Sequence, residues 1–339
     1  NKYSKTNIAK RMLRSKYSKT NIAKPILQSE YYKVWQYLDK ERRNKMKDLI
    51  KGAYDLHVHS APDVLPRKMD DIEMAQRIID AGMAGYAIKS HYFCTAERAA
   101  LINKMYPNCH AMGAITLNSS VGGVNPTAVE MAARAGAKIV WFPTCDSEYE
   151  LSHVFNGDPN KKLPYWAQII IQLKEDGIHT PTIKLLNENG KLKDEVYDVI
   201  DVIAKNNIIL ATSHSSHEET FALVKAAHER KVEKIIITHV DFPTTFYTID
   251  EQKELAKYGA YMEHCYTTYA TGKIDFSVTL EQIKALGADK VILSTDLGQK
   301  TAVYPDEGLL DFATRLYENG FSEGEIRKMT VDNPSVLVG

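Results

Sequence analysis

Along residues 53–294, short runs of β-branched, aromatic and other apolar residues alternate with longer stretches whose apolar positions recur at helical intervals. The short runs predict eight strands, at 53–58, 85–89, 111–117, 138–143, 208–212, 235–238, 260–263 and 290–294. The stretches between them predict helices at 70–81, 95–105, 126–135, 195–205, 218–229, 248–258 and 277–286. Gly82, Gly136, Gly259 and Gly287 fall where such helices should stop. The strands lack the clean in–out alternation of a sheet with one wet face, so they read as buried on both sides. Eight strand–helix units in a row predict an α/β fold, a (β/α)8 TIM barrel over residues 52–339 with an N-terminal helical extension. A doubly wound sheet is the competing arrangement. It normally carries a glycine-rich phosphate loop after the first strand, whereas this strand runs into His57-Val58-His59-Ser60. The missing loop also counts against a nicotinamide-dependent oxidoreductase.

One stretch breaks the rhythm. Residues 145–194 are too long for a single crossover helix and read as an insertion. It comprises a loop at 145–165 over the barrel mouth, a helix at 166–173, and a small hairpin turning at Asn189-Gly190. Tyr149, His153, Phe155, Tyr165 and Trp166 are its candidates for substrate contact. Residues 1–51 form a basic extension, with 15 Lys and Arg against 4 Asp and Glu, although the whole chain carries 43 of each. The sequence KYSKTNIAK occurs at 2–10 and again at 16–24, and Ile26, Tyr31, Val34, Tyr37 and Leu38 are spaced for a helix. Such an arm raises a nucleic-acid-associated role as an alternative. No aromatic-rich binding module accompanies it, so a small molecule is the expected partner and nucleic acid is not.

With 44% hydrophobic and 25% charged residues the composition excludes global disorder. No run of 18 apolar residues predicts a membrane span. Cys94, Cys109, Cys145 and Cys265 are scattered without a CxxC pair, which argues against a disulfide scaffold or a cysteine zinc knuckle. A cytoplasmic homo-oligomer is the expectation.

The chemistry lies in the polar residues at the strand ends. His57 and His59 are two apart on the first strand, so they share a face and can grip a divalent metal together. The second strand ends in Lys89-Ser90-His91, the fifth leads to His214 and His217, the sixth ends at His239, the seventh at Glu263-His264-Cys265, and the eighth at Asp296. Seven of the 11 histidines thus gather at the rim where a barrel keeps its active site. Glu263 and His264 are adjacent, so a regular strand turns only one of them inward. His217 opens a helix and reads equally as a polar residue of its first turn. Asp55 is either an orienting carboxylate beneath His57 or a polar residue at the barrel bottom. After the third strand, Asn118 begins a loop that leads to Pro126 at a helix start, a place suited to an anion on the substrate. Arg67, Lys68, Lys89 and Lys300 are candidate cations for the same task.

This set resembles the amidohydrolase superfamily. The resemblance implies that His57, His59 and Asp296 hold one metal, and that His214 and His239 complete that site or hold a second ion. Binuclear members carry a bridging carboxylated lysine or a glutamate on the fourth strand, but here that strand ends Val140-Trp141-Phe142-Pro143-Thr144. Lys89 from strand two and Glu263 from strand seven are the remaining candidates for a bridge. The opening His-x-His with His91 is also similar to PHP phosphoesterases, which expect Asp-x-His at the eighth strand, where this chain has Asp296-Leu297-Gly298. The expected metal set is therefore His57, His59, Lys89, His91, His214, His239, Glu263 and Asp296. Asp296, His239 and His217 are the candidates for acid–base work, and Lys89, Asn118 and His264 for substrate contact. Zinc is the expected ion, with manganese, iron, cobalt or nickel suited to the same ligands, at one or two per chain. The expected reaction is hydrolysis of an amide, cyclic amide or ester of a small molecule, neutral or anionic, with a PHP-like phosphoesterase as one alternative. A barrel that binds metal without turnover is another, prompted by the missing fourth-strand ligand.

Overall fold

A computed structural model describes residues 46–158, 160 and 163–339. The basic repeat and the expected helix through Tyr31 and Leu38 lie outside the described residues. The chain divides into two compact units, Asn1–Asp48 and Leu49–Gly339, and the second holds everything that follows.

Eight parallel strands succeed one another around a single sheet in chain order. They are β1 (Tyr54–Val58), β2 (Gly85–Ile88), β3 (His110–Thr116), β4 (Ala137–Trp141), β5 (Ile209–Ala211), β6 (Ile235–Ile237), β7 (Tyr261–Cys265) and β8 (Val291–Ser294). Each agrees with its predicted run to within two residues at either end. The sheet closes at its top, where β1 meets the end of β8: Val58 bridges Leu297, the His59 amide donates to the Leu297 carbonyl (2.8 Å), and the Asp296 amide to that of His57 (2.8 Å). Below this seam the buried Asp55 carboxylate accepts from the Thr295 amide and hydroxyl (3.0 and 2.5 Å). Burial pushes the Asp55 carboxyl up to about 7 even though these donors pull it down. Asp55 therefore fastens the β1–β8 junction.

The lumen is packed with Leu56, Ala87, Met112, Ile139, Ile209, Ala211, Ile236 and Ile292, and Leu337 of the last helix joins them beneath. A larger apolar layer lies between the outer strand faces and the helices. This filling confines open space to the strand C-termini, as expected for such a barrel. The predicted helices form with their caps. Asp70, Asn125, Ser216 and Thr248 each accept a backbone N–H of the following helix, relieving the donors that a helix start leaves unpaired.

The insertion after β4 corrects the expectation of a plain loop. Helix Glu148–Val154 forms within it, followed by Ala167–Glu175. Leu65, Tyr92, Cys145, Val154, Trp166 and Ala167 make a small core of their own over the mouth. The hairpin turns as predicted, with Leu186 bridging Leu192. No helix among the described residues is long and apolar enough to cross a membrane.

Candidate metal centre

His57 is the hub. Its Nδ1 lies 3.3 Å from both oxygens of Glu263. Its Nε2 lies 3.1 Å from Asp296 Oδ1 and 2.9 Å from Lys89 Nζ. Asp296 Oδ1 is shared with His59 Nε2 (3.2 Å), and Asp296 Oδ2 stands 4.0 Å from His239 Nε2. Potential ligand atoms of His57, His59 and Asp296 all lie within 4.8 Å of one another. The same holds for His57, His239, Glu263 and Cys265. All of these side chains are buried or nearly so. Trp141 packs its ring 4.6 Å from that of His57 and 4.2 Å from Lys89 Nζ.

The backbone aims two of these groups. His239 (φ 55°) and Asp296 (φ 52°) end β6 and β8 in the left-handed region, as does Ser213 (φ 57°) after β5. Such a conformation costs a residue bearing a Cβ roughly 1–3 kcal/mol and persists where the surroundings over-determine it. Here the Ser213 amide donates to Thr238 Oγ1 (3.1 Å), the Thr238 amide to Thr212 Oγ1 (3.2 Å), and Thr245 Oγ1 to the His239 carbonyl (2.8 Å). Two residues after Asp296, Gly298 has φ 135°, and a Cβ there would come within 1.7 Å of the His59 carbonyl oxygen. The histidine that the PHP pattern needs at this position has no room.

The electrostatics divide the cluster: burial and Lys89 oppose a charge on His57, but Asp296 and Glu263 outweigh them and raise its pKa. Burial strongly lowers the pKa of His91 and His239, so both rings are neutral. Burial alone would raise Asp296, but the charge of His57 and the hydrogen bonds from His57 and His59 hold it well below the usual carboxylate range. Burial lowers Lys89. A ligating imidazole typically hands its far nitrogen's proton to a carboxylate, which fixes the ring. His57 has Glu263 in that place, and His214 has Glu150 Oε2 3.2 Å from its Nδ1. His214 Nδ1 and His239 Nδ1 are both buried without a hydrogen bond of normal geometry among the described residues, Glu150 standing within ion-pair reach of the first. His59 differs: the Arg67 guanidinium, which can only donate, reaches its Nδ1 (3.3 Å). Its ring proton therefore sits on Nε2, facing Asp296, and His59 can ligate through Nε2 only if Arg67 releases it. Burial, with Arg67 next, lowers His59 to about 3.

The donor sets that could hold a divalent ion are His57, His59 and Asp296, and, sharing His57, the group His57, His239, Glu263 and Cys265. The other predicted residues fall as follows. His91 lines the same cavity, stacked 4.9 Å from His59, with its Nδ1 2.8 Å from Thr144 Oγ1. Asn118 spends its amide on the His91 carbonyl, Thr144 and Cys145, which holds the β2 and β4 ends together and leaves it no group for substrate. Of the adjacent pair on β7, Glu263 faces His57, while His264 pairs with Asp241 (2.8 Å), which also accepts from Thr279 on an outer helix. His217 is set apart from the cluster. Its Nδ1 meets Glu251 (2.8 Å) and its ring stacks on Tyr247, so it belongs to the helix layer.

A cavity of about 520 Å³ opens above the cluster and is lined by His59, Lys89, His91, Glu150, His214, His239 and Asp296, among others. Tyr165 and Trp166 of the insertion join its wall, whereas Tyr149 and His153 pack on each other. Sequence reasoning missed Glu150. It is 2% exposed and comes from helix Glu148–Val154. Nothing in the sequence marks it as buried; the only signal is that the long excursion starts beside the β4 end.

A sequence profile for a family of unknown function, DUF6282, matches residues 52–263, well over half of the chain. The chain belongs to this family. The matched region of the DUF6282 chain spans β1 to Glu263 and stops short of Asp296. No curated protein sequence matches it. Solved structures share the fold at low identity. The probable dipeptidase PvdM from Pseudomonas aeruginosa superposes with a TM-score of 0.57 at 10% identity, covering 88% of this chain and 97% of that one. An amidohydrolase from the same organism gives 0.54 at 10%, covering 86% and 98%. An organophosphorus hydrolase from Deinococcus radiodurans gives 0.53 at 14%, covering 85% and 93%.

Proposed function

We propose that this DUF6282 barrel is a metal-dependent hydrolase of the amidohydrolase type, which cleaves an amide, cyclic amide or ester bond of a small molecule. The observation that carries the reading is the convergence of His57, His59 and Asp296, with ligand atoms within 4.8 Å of one another, the last two lining the cavity. The three structurally similar proteins named above are all described as hydrolases or peptidases, which supports the same chemistry. His57, His59 and Asp296 would hold one ion, most simply zinc, with His214 and Glu263 or Lys89 available if a second is bound. When bound, the metal would make water a nucleophile at neutral pH and polarise the scissile oxygen.

The chain's own groups supply the rest. Asp296 is ionised, and its Oδ1 is shared by His57 and His59, so Oδ2 is the oxygen free to take a proton from the attacking water. His239, 4.0 Å from Oδ2, is placed to pass that proton toward the leaving group. The Glu150 carboxylate, 3.2 Å from His214 Nδ1, favours the ring proton on that nitrogen and so leaves Nε2 to face the cavity. The insertion, through Tyr165 and Trp166, screens the reacting centre from bulk water.

The test is the metal content of protein purified without an affinity-metal column, alongside His57→Ala and Asp296→Ala. One or two moles of transition metal per chain, reduced in both variants, is expected. Near-zero metal after reloading with zinc and manganese would overturn the reading.

A further inference from the structure

Among the described residues, three cationic side chains line the cavity: Arg67, Lys89 and Lys273. Two of them are committed. Arg67 is bound to Asp63 (2.6 Å) and His59, and Lys89 is buried against His57 and Trp141. Lys273 is different. The residue is exposed at the mouth; burial of its ammonium lowers its pKa while Asp296 and Glu150 pull the other way, and no carboxylate or carbonyl among the described residues accepts a hydrogen bond from it. Instead Nζ sits 3.9 Å from the centre of the Phe242 ring. Phe242 in turn lies 5.3 Å from His239 and 6.2 Å from His214. Lys273 is therefore separated from the reacting imidazoles by a single aromatic ring.

The loop expected to cradle an anion is already occupied by the protein itself. The Ser119 amide donates to Asp146 (2.8 Å), and the Ala128 amide at the helix start donates to its own cap, Asn125. Two of the amides that an anionic substrate group would claim there are therefore already taken. Glu150 and Asp296 also line the cavity, so a dianion such as phosphate would meet two carboxylates. A single carboxylate would meet Lys273 first. Leu65, Tyr165 and Trp166 on the wall suit an apolar or aromatic body.

Building on the hydrolase reading, we infer that Lys273 anchors one carboxylate of the substrate. The cavity then takes small acyl compounds that carry a carboxylate close to the bond to be cleaved. An ammonium–carboxylate contact in a partly enclosed site is stronger than a neutral hydrogen bond, and the aromatic face of Phe242 holds the cation in place before substrate arrives.

Calorimetric titration of the full metal-loaded chain with hippurate and with its neutral amide, hippuramide, tests this. Hippurate is expected to bind at least 10-fold more tightly, with a preference that falls as salt is added. K273M should reduce the preference to under 2-fold and K273R should restore it, with metal content unchanged in both. Three results would overturn the inference: no preference in the wild type (binding of neither compound included), a preference that survives in K273M, or inorganic phosphate binding as tightly as hippurate. The hydrolase reading is judged separately, by metal content and turnover. A Lys273-dependent carboxylate preference in a protein without turnover keeps this inference and removes that one.

Discussion

Asp296, His239 and Gly298 do their work through backbone conformation as much as through chemistry. Left-handed backbone at Asp296 and His239 turns each side chain off its strand and into the mouth, and Gly298 lets the chain pass against the His59 carbonyl. Gly298→Ala should therefore cost more than about 4 kcal/mol, the range of severe backbone clashes, as a large fall in the thermal unfolding midpoint. A midpoint within a few degrees of wild type would show that the turn relaxes. Glu150 makes a milder prediction. Glu150→Gln should lower turnover about 10–100-fold, as loss of a partner behind a ligating histidine does, and Glu150→Asp should recover part of it. Nitrogen-15 chemical shifts of His214 would show its ring proton leaving Nδ1 in the glutamine variant; an unchanged ring would separate Glu150 from that role. Residue by residue, the sequence exposed the histidines and Asp296, because they stand at strand ends. It left Glu263 and His264 undecided, because alternation along a strand says that neighbours face opposite ways without saying which faces in. Glu150 stayed hidden because its burial depends on a helix folding back over the mouth.

Among the elements, the strands were the most legible, since a buried parallel strand is a short apolar run bounded by helices and turns, and β1 to β8 all fit that description. The insertion was less so. Its hairpin was marked by Asn189-Gly190, but helix Glu148–Val154 is only seven residues long and its pattern is too short to stand out. What fixes the hairpin is Glu219, whose carboxylate accepts the Leu185 amide (2.7 Å) and the Ser216 amide (2.9 Å) while Ser216 caps the Glu219 amide. Ser216→Ala should cost about 1 kcal/mol. Glu219→Ala should cost roughly 2–4 kcal/mol, because two backbone donors lose their acceptor. Chemical denaturation measures both, and equal costs would mean that the tie to the hairpin contributes nothing.

For the molecule as a whole, the barrel mouth gathers Lys89, Arg67 and the histidines around the buried carboxylates of Asp296 and Glu263, a set of donors that one ion can tie together. A ligand that binds only the folded state adds stability by mass action, about 4 kcal/mol when present at a thousand times its dissociation constant. Exhaustive chelation should accordingly lower the unfolding midpoint of the wild type and leave that of His57→Ala nearly unchanged. Identical shifts in the two proteins would place the metal elsewhere.

The tryptophan wedged beside His57 has a use of its own. Of the three tryptophans, Trp35 lies outside the described residues, Trp141 is fully buried against His57 and Lys89, and Trp166 is on the cavity wall. Indole emission is sensitive to nearby charge and to paramagnetic ions, so the barrel carries a built-in optical gauge at its reacting centre. Titrating the metal-free chain with cobalt should quench a blue-shifted fluorescence component that Trp141→Phe removes, reporting occupancy of the site before any substrate is known.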